Sequence, residues 1–486
     1  MLAAGDITQE EHDSAQAEEL GLNPEPDAPT DGIYAYPYFT SYVRELLFDE
    51  NNPYGCSYAD LFKGGLTIYT TLDTALQDEA IAAVDNQRAN MDANLDASIV
   101  AIDVATGQVK AMTRGVPYGS GEGESQVNIA TGSGGTGRQA GSTFKAFTLA
   151  AAIEQGISPQ TLIDCSSPLK AGQDGAPQDF ENFGGASYGI QTIQGATAIS
   201  SNTGYLRLSN SIGQSSTTEM ASRLGVTSEM SPVYTATEGV ADVNPLEMAS
   251  AYATLASGGV KRDPVVITKI LDRDGTVIYE AGDTSERVLD EAVSAATTKV
   301  LQTVFTQSGA TANSAQLNSG QPVAGKTGTA SLFTDHWLVG YTPSLSCAAW
   351  IGDPSGAVPT DTSLTANALW KDFMDRATAG KEIENFPTVK DPPYNNPYNT
   401  AQKSKLGKKV EDTKKDGSTD SGTKDVNAAP SAVGRTYDEA IEILNGYKAG
   451  YLEEYSDTVP KGTVISQSVQ DGQVVIVVSL GPKPSG

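Results

Sequence analysis

A serine and a lysine that lie one helical turn apart are the first candidates for chemistry in this sequence. The segment GSTFKAFTLAAAIEQG, residues 141–156, is apolar on nearly every face and predicts a buried helix that ends at Gly156. Ser142 and Lys145 then share one face of this helix. Because burial disfavours an ammonium ion, Lys145 can be a neutral base that accepts the proton of Ser142. An N-cap serine and a surface-reaching lysine would explain the same spacing, so the pair needs support from elsewhere in the chain.

Two further segments supply groups that such a nucleophile would need. Ser200 and Asn202 follow the helical pattern IQTIQGATAI, and there they can relay a proton and hold a lysine or a substrate carbonyl. The segment GQPVAGKTGTAS, residues 320–331, fits the phosphate-binding P-loop pattern, but strands and a turn follow where a P-loop requires a helix. We therefore predict a strand that carries Lys326 beside the nucleophile, with Gly328 allowing a substrate backbone to come close.

The order S-x-x-K, S-x-N, K-T-G is the signature of penicillin-binding proteins and serine β-lactamases. Helical patterns that interrupt a mainly antiparallel set of strands independently indicate an α+β fold. The chain resembles the transpeptidase domain of class A, bifunctional penicillin-binding proteins, which implies an antiparallel sheet with a helical cluster. The longer segments that carry the resemblance are RQAGSTFK (138–145), GATAISSNTGY (195–205), NPLEMASAYATLASGG (244–259) and DHWLVGYTPSLSCAAWIGDP (335–354).

The resemblance implies a serine acyl-enzyme. Ser142 would attack the D-Ala-D-Ala carbonyl of a peptidoglycan stem peptide and release the terminal D-Ala. Lys145 would be the base, Ser200 would relay a proton to the leaving group, and Asn202 would orient the substrate. The acyl group would then pass to an amine on a neighbouring strand.

The lysine-threonine-glycine strand would bind the substrate. By resemblance, Lys326 with Thr327 and Thr329 would receive the substrate carboxylate, next to Gly328. The backbone N–H groups of Ser142 and Thr329 would form the oxyanion hole. The resemblance implies no metal and no cofactor.

The chain divides into five predicted segments. Residues 387–427 are rich in polar residues and bury too little apolar surface to order themselves, which predicts a flexible linker. Thr436 and Glu439 predict a capping box at the start of a helix, and two apolar strands follow. The full division is a remnant of a glycosyltransferase domain (1–32), a small α+β linker domain (33–95), the transpeptidase domain (96–386), the flexible linker (387–427) and a small β-rich PASTA-like module (428–486).

Charge and composition limit the partners. The formal net charge is -28, from 60 acidic and 32 basic residues, which disfavours nucleic acid and a polybasic membrane patch. Cys56, Cys165 and Cys347 lack CxxC spacing, which favours buried thiols over a disulfide framework or a zinc site. No apolar run approaches the roughly 20 residues of a membrane helix. The resemblance implies an anchor in a preceding segment, at the extracytoplasmic face of the bacterial plasma membrane. It also implies lipid II-derived glycan strands as partners and β-lactams as inhibitors.

Three function classes fit these residues. The flanking segments favour a transpeptidase over a D,D-carboxypeptidase or β-lactamase of the same fold, and over a non-catalytic penicillin-binding sensor. Class A β-lactamases activate water with a glutamate; Glu229 and Glu238 occupy the candidate region without that pattern, so we expect neither to activate water. The segment GASYG, residues 185–189, matches a hydrolase nucleophile elbow with His336 downstream, but no buried strand precedes it.

Overall fold

The structure is a computed structural model, and the residues that it describes cover most of the chain. They are residues 1–17, 35–172, 175–176, 178–330, 332–361, 365–394, 428–444, 447, 449–454, 456–470, 473–479 and 481–482.

Helices and strands alternate irregularly along the chain. The α-helices are α1 Gln9–Ala17, α2 Pro37–Phe48, α3 Tyr58–Lys63, α4 Thr74–Arg88, α5 Lys145–Glu154, α6 Ile193–Ala198, α7 Asn202–Ile212, α8 Ser215–Leu224, α9 Pro245–Ala256, α10 Glu291–Thr306, α11 Asn367–Ala377 and α12 Tyr437–Ile443. The strands are β1 Thr67–Thr70, β2 Asp96–Asp103, β3 Val109–Arg114, β4 Arg138–Gln139, β5 Leu162–Asp164, β6 Ile190–Thr192, β7 Asp242–Val243, β8 Val260–Lys261, β9 Ile267–Leu271, β10 Val277–Glu280, β11 Glu286–Arg287, β12 Ala324–Thr329, β13 Asp335–Tyr341, β14 Leu345–Gly352, β15 Ala449–Glu454, β16 Val464–Gln470 and β17 Gln473–Ser479.

A five-stranded antiparallel sheet, in the order β12-β13-β14-β2-β3, is the centre of the fold. Alternate residues of its strands enter two different cores: Val100 and Ile102 pack with α5 and α9, whereas Ile99 and Ala101 pack with α4 and α11. Both faces are therefore covered, so β13 and β14 are buried at every position. This explains why these strands are apolar throughout instead of alternating. The predicted α+β class, an antiparallel sheet with a helical cluster, is confirmed.

Residues 35–95 do not have a core of their own. Their strand β1 pairs with β9, and β10 completes this three-stranded sheet. Phe39 and Val43 of α2 belong to the same buried cluster as Phe144, which directly precedes α5. The linker domain predicted at 33–95 stays a prediction. In the described part of that segment, most buried apolar side chains belong to the two large cores.

The C-terminal unit has a separate small core. Strand β17 lies between β15, which is parallel to it, and β16, which is antiparallel. The predicted capping box is confirmed: Thr436 N–H donates to Glu439 Oε2 at 2.8 Å, and Glu439 N–H donates to Thr436 Oγ1 at 3.3 Å. The buried residues of this core are Ala432, Ala440, Leu444, Val464, Val474, Ile476 and Val478.

The start of the flexible linker at residue 387 stays a prediction. In its described part, residues 387–394, Tyr394 packs against the large core. The remainder of the predicted linker, residues 395–427, lies outside the described residues.

The three cysteines are buried and form no disulfide, as predicted. Within the described part of the chain, no helix has the length and apolar character to cross a membrane.

Candidate active site

Ser142 lies in a tight turn directly before the buried helix. Gly141–Phe144 form a 3₁₀ turn that continues into α5, whose residues from Lys145 to Ile153 are all buried. The prediction of a buried helix with the serine at its start is therefore confirmed. Gly141 has a φ of +57°, and a Cβ at this position would lie 2.6 Å from the Thr329 backbone nitrogen. Only glycine allows the turn of Ser142 to approach the last residue of β12 so closely.

Lys145 connects the first two motifs. Its Nζ lies 2.9 Å from Ser142 Oγ, and it donates to Asn202 Oδ1 at 2.7 Å and to the Ser200 carbonyl at 3.0 Å. The side chain is fully buried. Burial lowers the pKa of the Lys145 ammonium, and the Glu238 carboxylate opposes this shift. A lysine with a lowered pKa in contact with a serine hydroxyl can act as the base that removes its proton.

Asn202 is held by two partners at the start of α7. Its Oδ1 accepts from Lys145, and its Nδ2 donates to the Glu181 carbonyl at 2.9 Å. The sequence left open whether this amide holds a lysine or a substrate carbonyl. The structure places it on the lysine.

Lys326 connects the third motif to the second. Its Nζ donates to Ser200 Oγ at 2.8 Å and to the Thr327 carbonyl at 3.1 Å. Ser200 itself adopts a φ of +57°, a strained conformation for a residue with a side chain. Burial lowers the pKa of Lys326 well below its usual range, and the charge of Lys145 lowers it further. Ser200 therefore contacts both buried lysines: its hydroxyl accepts from Lys326, and its backbone carbonyl accepts from Lys145.

The strand β12 carries the lysine-threonine-glycine motif, as predicted, and the rejected P-loop helix is absent from this described segment. Thr327 Oγ1 lies 2.7 Å from Thr311 Oγ1. A Cβ on Gly328 would lie 2.5 Å from the Ala140 carbonyl oxygen and 2.8 Å from Thr143 Cγ2. Glycine is thus required because the strand packs against the nucleophile turn, which differs from the predicted reason of room for a substrate.

A cleft of about 730 Å³ brings the predicted groups together. The predicted site residues that line it are Ser142, Ser200, Asn202, Thr327, Gly328 and Thr329. Phe183 and Phe333 add an apolar contact at its edge, with ring centroids 5.8 Å apart. Lys145 and Lys326 are fully buried and do not line the cleft themselves. An elongated, partly apolar ligand fits such a cleft, with polar groups at the serine end.

Two residues of the site were missed in the sequence. Asn182 is buried, and its Oδ1 accepts from Ser201 Oγ at 3.0 Å and from the Thr203 N–H at 3.1 Å, so it fixes the turn between Ser200 and Asn202. Glu238 lines the cleft, and its Oε2 lies 3.4 Å from Lys145 Nζ. The expectation that Glu238 does not activate water stays a prediction, but its contact with Lys145 was not predicted. The only signal was an isolated acidic residue in YTATEGV, which has no periodic pattern.

The predicted oxyanion hole stays a prediction. Gly141 packs closely against Thr329, so the turn that carries Ser142 lies beside the end of β12. This arrangement is compatible with backbone N–H groups of Ser142 and Thr329 that point at one oxyanion. His336 is buried and contacts Thr360 Oγ1 at 2.5 Å, whereas the hydroxyl of Ser187 in the GASYG segment accepts from the Ser167 N–H. In the part of the chain that the structure describes, no group of three or more potential metal ligands is found.

The comparisons with known proteins agree with the family that the three motifs resemble. Residues 97–353 match the family model described as the penicillin-binding protein transpeptidase domain, and residues 428–479 match the PASTA domain. The chain is 34% identical over 354 residues to penicillin-binding protein 1A of Mycolicibacterium smegmatis, which covers 66% of this chain and 43% of that protein. It is 27% identical over 365 residues to penicillin-binding protein 2D of Bacillus subtilis, covering 73% of this chain and 51% of that protein.

A solved structure is similar over most of this chain. The structure of PonA1 from Mycobacterium tuberculosis in complex with penicillin V superposes with a TM-score of 0.64 at 29% identity, and covers 73% of this chain and 96% of that chain. The chain spans about half, or less, of the length of the curated relatives named above.

Proposed function

This chain belongs to the family of penicillin-binding protein transpeptidase domains, and we propose on that premise that it is a D,D-transpeptidase that cross-links peptidoglycan stem peptides. The observation that carries the proposal is the 2.9 Å contact between Lys145 Nζ and Ser142 Oγ at the wall of the cleft. A buried lysine in this position is suited to accept a proton and poorly suited to any role at a surface.

In the proposed first half-reaction, Ser142 Oγ loses its proton to Lys145 and bonds to the carbonyl carbon of the penultimate D-Ala. The N–H groups of Ser142 and Thr329 stabilise the oxyanion that forms. The bond to the terminal D-Ala then breaks, and its nitrogen receives a proton through Ser200, whose hydroxyl accepts a hydrogen bond from Lys326. The product is an ester between the stem peptide and Ser142.

In the second half-reaction, an amine of a neighbouring stem peptide attacks this ester. The amine loses a proton to Lys145, the new amide forms, and Ser142 Oγ regains a hydrogen. Thr327 and Thr329 line the cleft beside Ser142, which supports a role in binding the substrate carboxylate. Lys326 is buried behind them and would contribute its positive charge. A β-lactam enters the same first half-reaction, but its opened ring stays attached to the serine.

Intact-mass measurement after incubation with benzylpenicillin tests the nucleophile. We expect one adduct on the parent and none on Ser142→Ala. Ser187→Ala is the matched control, because Ser187 belongs to the elbow-like GASYG segment, and it should keep the adduct. An adduct that persists on Ser142→Ala would refute the assignment.

A hydrolase of the same fold is the second candidate, and one observation favours it. Glu238 lines the cleft beside Lys145, and its Oε1 is buried with no hydrogen-bond partner among the described residues. A carboxylate in this place is a candidate base for water. If the protein is a transpeptidase, the penicilloyl adduct should survive for many minutes. Rapid nitrocefin turnover that is lost in Glu238→Gln would make it a β-lactamase.

We also propose that this unit works within a longer protein that carries a peptidoglycan glycosyltransferase and a membrane anchor, and acts at the extracytoplasmic face of the plasma membrane on lipid II-derived glycan strands. The resemblance of residues 1–15 to the end of a glycosyltransferase domain supports this. Mass spectrometry of the protein isolated from its native membrane tests it, since a product without an upstream domain would contradict the proposal.

A further inference from the structure

Glu238 lies next to a residue that is hydrogen-bonded to the turn carrying Ser142. It ends the 3₁₀ turn Tyr234–Glu238, and the next residue, Gly239, accepts a hydrogen bond from the Gly141 N–H at 3.0 Å. The Glu238 side chain is only 15% exposed, and its Oε2 lies 3.4 Å from Lys145 Nζ. The carboxylate is thus held beside the base by the backbone of the nucleophile turn itself.

The site contains two buried lysines and few groups that could neutralise them. In the described part of the chain, the pair with Glu238 is the one ion pair that either Lys145 or Lys326 forms within 4.0 Å. Burial raises the pKa of Glu238, whereas the positive charges of Lys145 and, to a smaller extent, Lys326 lower it. An ammonium ion in this interior would be costly without a carboxylate nearby.

The other ionisable groups that face this cluster are neutral, paired elsewhere or exposed. Burial raises the pKa of the Cys165 thiol to about 11, and burial also raises the pKa of Tyr205, whose ring lies 5.7 Å from Lys145 Nζ. Arg207 of α7 pairs with Asp164 and Arg223 of α8 pairs with Glu154, whereas Glu219 of α8 is exposed. Glu181 also lines the cleft but is exposed. Glu238 is therefore the one described carboxylate within 4.0 Å of the Lys145 ammonium group.

We propose that Glu238 is the counter-charge for the ammonium ion that Lys145 becomes during acylation, and that it sets the basicity of Lys145 without touching the substrate. The inference rests on the proposed function. The proton moves from Ser142 Oγ to Lys145 as the Oγ–carbon bond forms, and it leaves again when the amine departs or when the serine is regenerated. Glu238 neither gains nor loses a proton in this sequence, so it is a positioning residue that acts through Lys145.

The sign of the effect follows from the charge. A carboxylate next to an ammonium ion raises the pKa of the ammonium, so its removal lowers the pKa of Lys145. In Glu238→Gln, Lys145 should stay neutral to lower pH, and the acidic limb of the pH profile of acylation should move down by about 1 to 3 pH units. The plateau rate should fall as well, because a base of lower pKa removes the serine proton less readily.

The experiment measures the second-order rate of acylation by a fluorescent penicillin across the acidic and neutral range. It compares the parent with Glu238→Gln, Glu238→Asp and Glu229→Gln. Glu229 is an exposed glutamate on the same connection between α8 and α9 and forms no ion pair with the lysines. We expect a large downward shift of the limb in Glu238→Gln, a smaller one in Glu238→Asp and none in Glu229→Gln.

A limb that stays at the parent position in Glu238→Gln would overturn the inference, even if the plateau falls, because a merely structural role loosens the site without changing the pKa of Lys145. If Glu238→Gln does not fold, as judged by thermal melting, Glu238→Asp decides: an unshifted limb there overturns the inference. Failure of the proposed function is distinguishable, because it would appear as a parent protein that acquires no adduct on Ser142 at any pH.

Discussion

Gly239 lies where the turn of Glu238 meets the turn of Ser142, and its carbonyl accepts a hydrogen bond from the Gly141 N–H. It has a φ of +66°, and a Cβ at this position would lie 2.0 Å from the Gly141 carbonyl oxygen. Since Cβ atoms do not approach other atoms within 3.0 Å, one of the two turns must move by about 1 Å in Gly239→Ala. We predict that this displacement of Ser142 lowers the acylation rate by about 100-fold.

The same substitution also destabilises the fold. An alanine in the left-handed conformation costs about 1 to 2 kcal/mol, and the forced separation of the turns adds about 1 to 3 kcal/mol. Gly275→Ala is the matched control: its φ is +82°, but nothing lies within 4 Å of its Cβ position in the exposed turn between β9 and β10. This control should bear the conformational cost alone and keep the parent acylation rate.

Acylation by a fluorescent penicillin and thermal melting measure the two effects separately. We expect both variants to melt at a lower temperature, and only Gly239→Ala to lose acylation. If Gly239→Ala were acylated as fast as Gly275→Ala, the two turns would not be coupled through this contact, and the argument from the close approach would fail.

Two further predictions concern parts outside the nucleophile. Removal of residues 395–486 should leave acylation within about threefold of the parent, because the small core of the C-terminal unit is separate from the large one; binding to isolated sacculi should fall, and a loss of acylation would contradict this. Asp335→Asn should cost about 3 to 5 kcal/mol, because it leaves Arg138 buried without the carboxylate that lies 2.7 Å from its Nε. Urea unfolding measures this cost, and an unchanged midpoint would show that the pair contributes nothing.

The spacing of residues within a single helix indicated the nucleophile and its base. Ser142 and Lys145 are one helical turn apart, so any helix over this segment brings them together. The apolar surroundings of Lys145 in the sequence were enough to predict its burial, which the structure confirms. The capping box of Thr436 and Glu439 is likewise a local pattern, and it forms as predicted.

The sequence by itself therefore determined the class of the fold and the helices and strands that carry the three motifs, and it predicted which groups would do the chemistry. Only the tertiary structure decided that Glu238 faces Lys145, that Gly239 and Gly328 must be glycines because of the nucleophile turn, and that β1 pairs with β9. These contacts join segments that are distant in the chain. Periodicity and capping report only on neighbours within one element, so a single acidic residue in a loop gives no sign of the lysine against which the folded chain will place it.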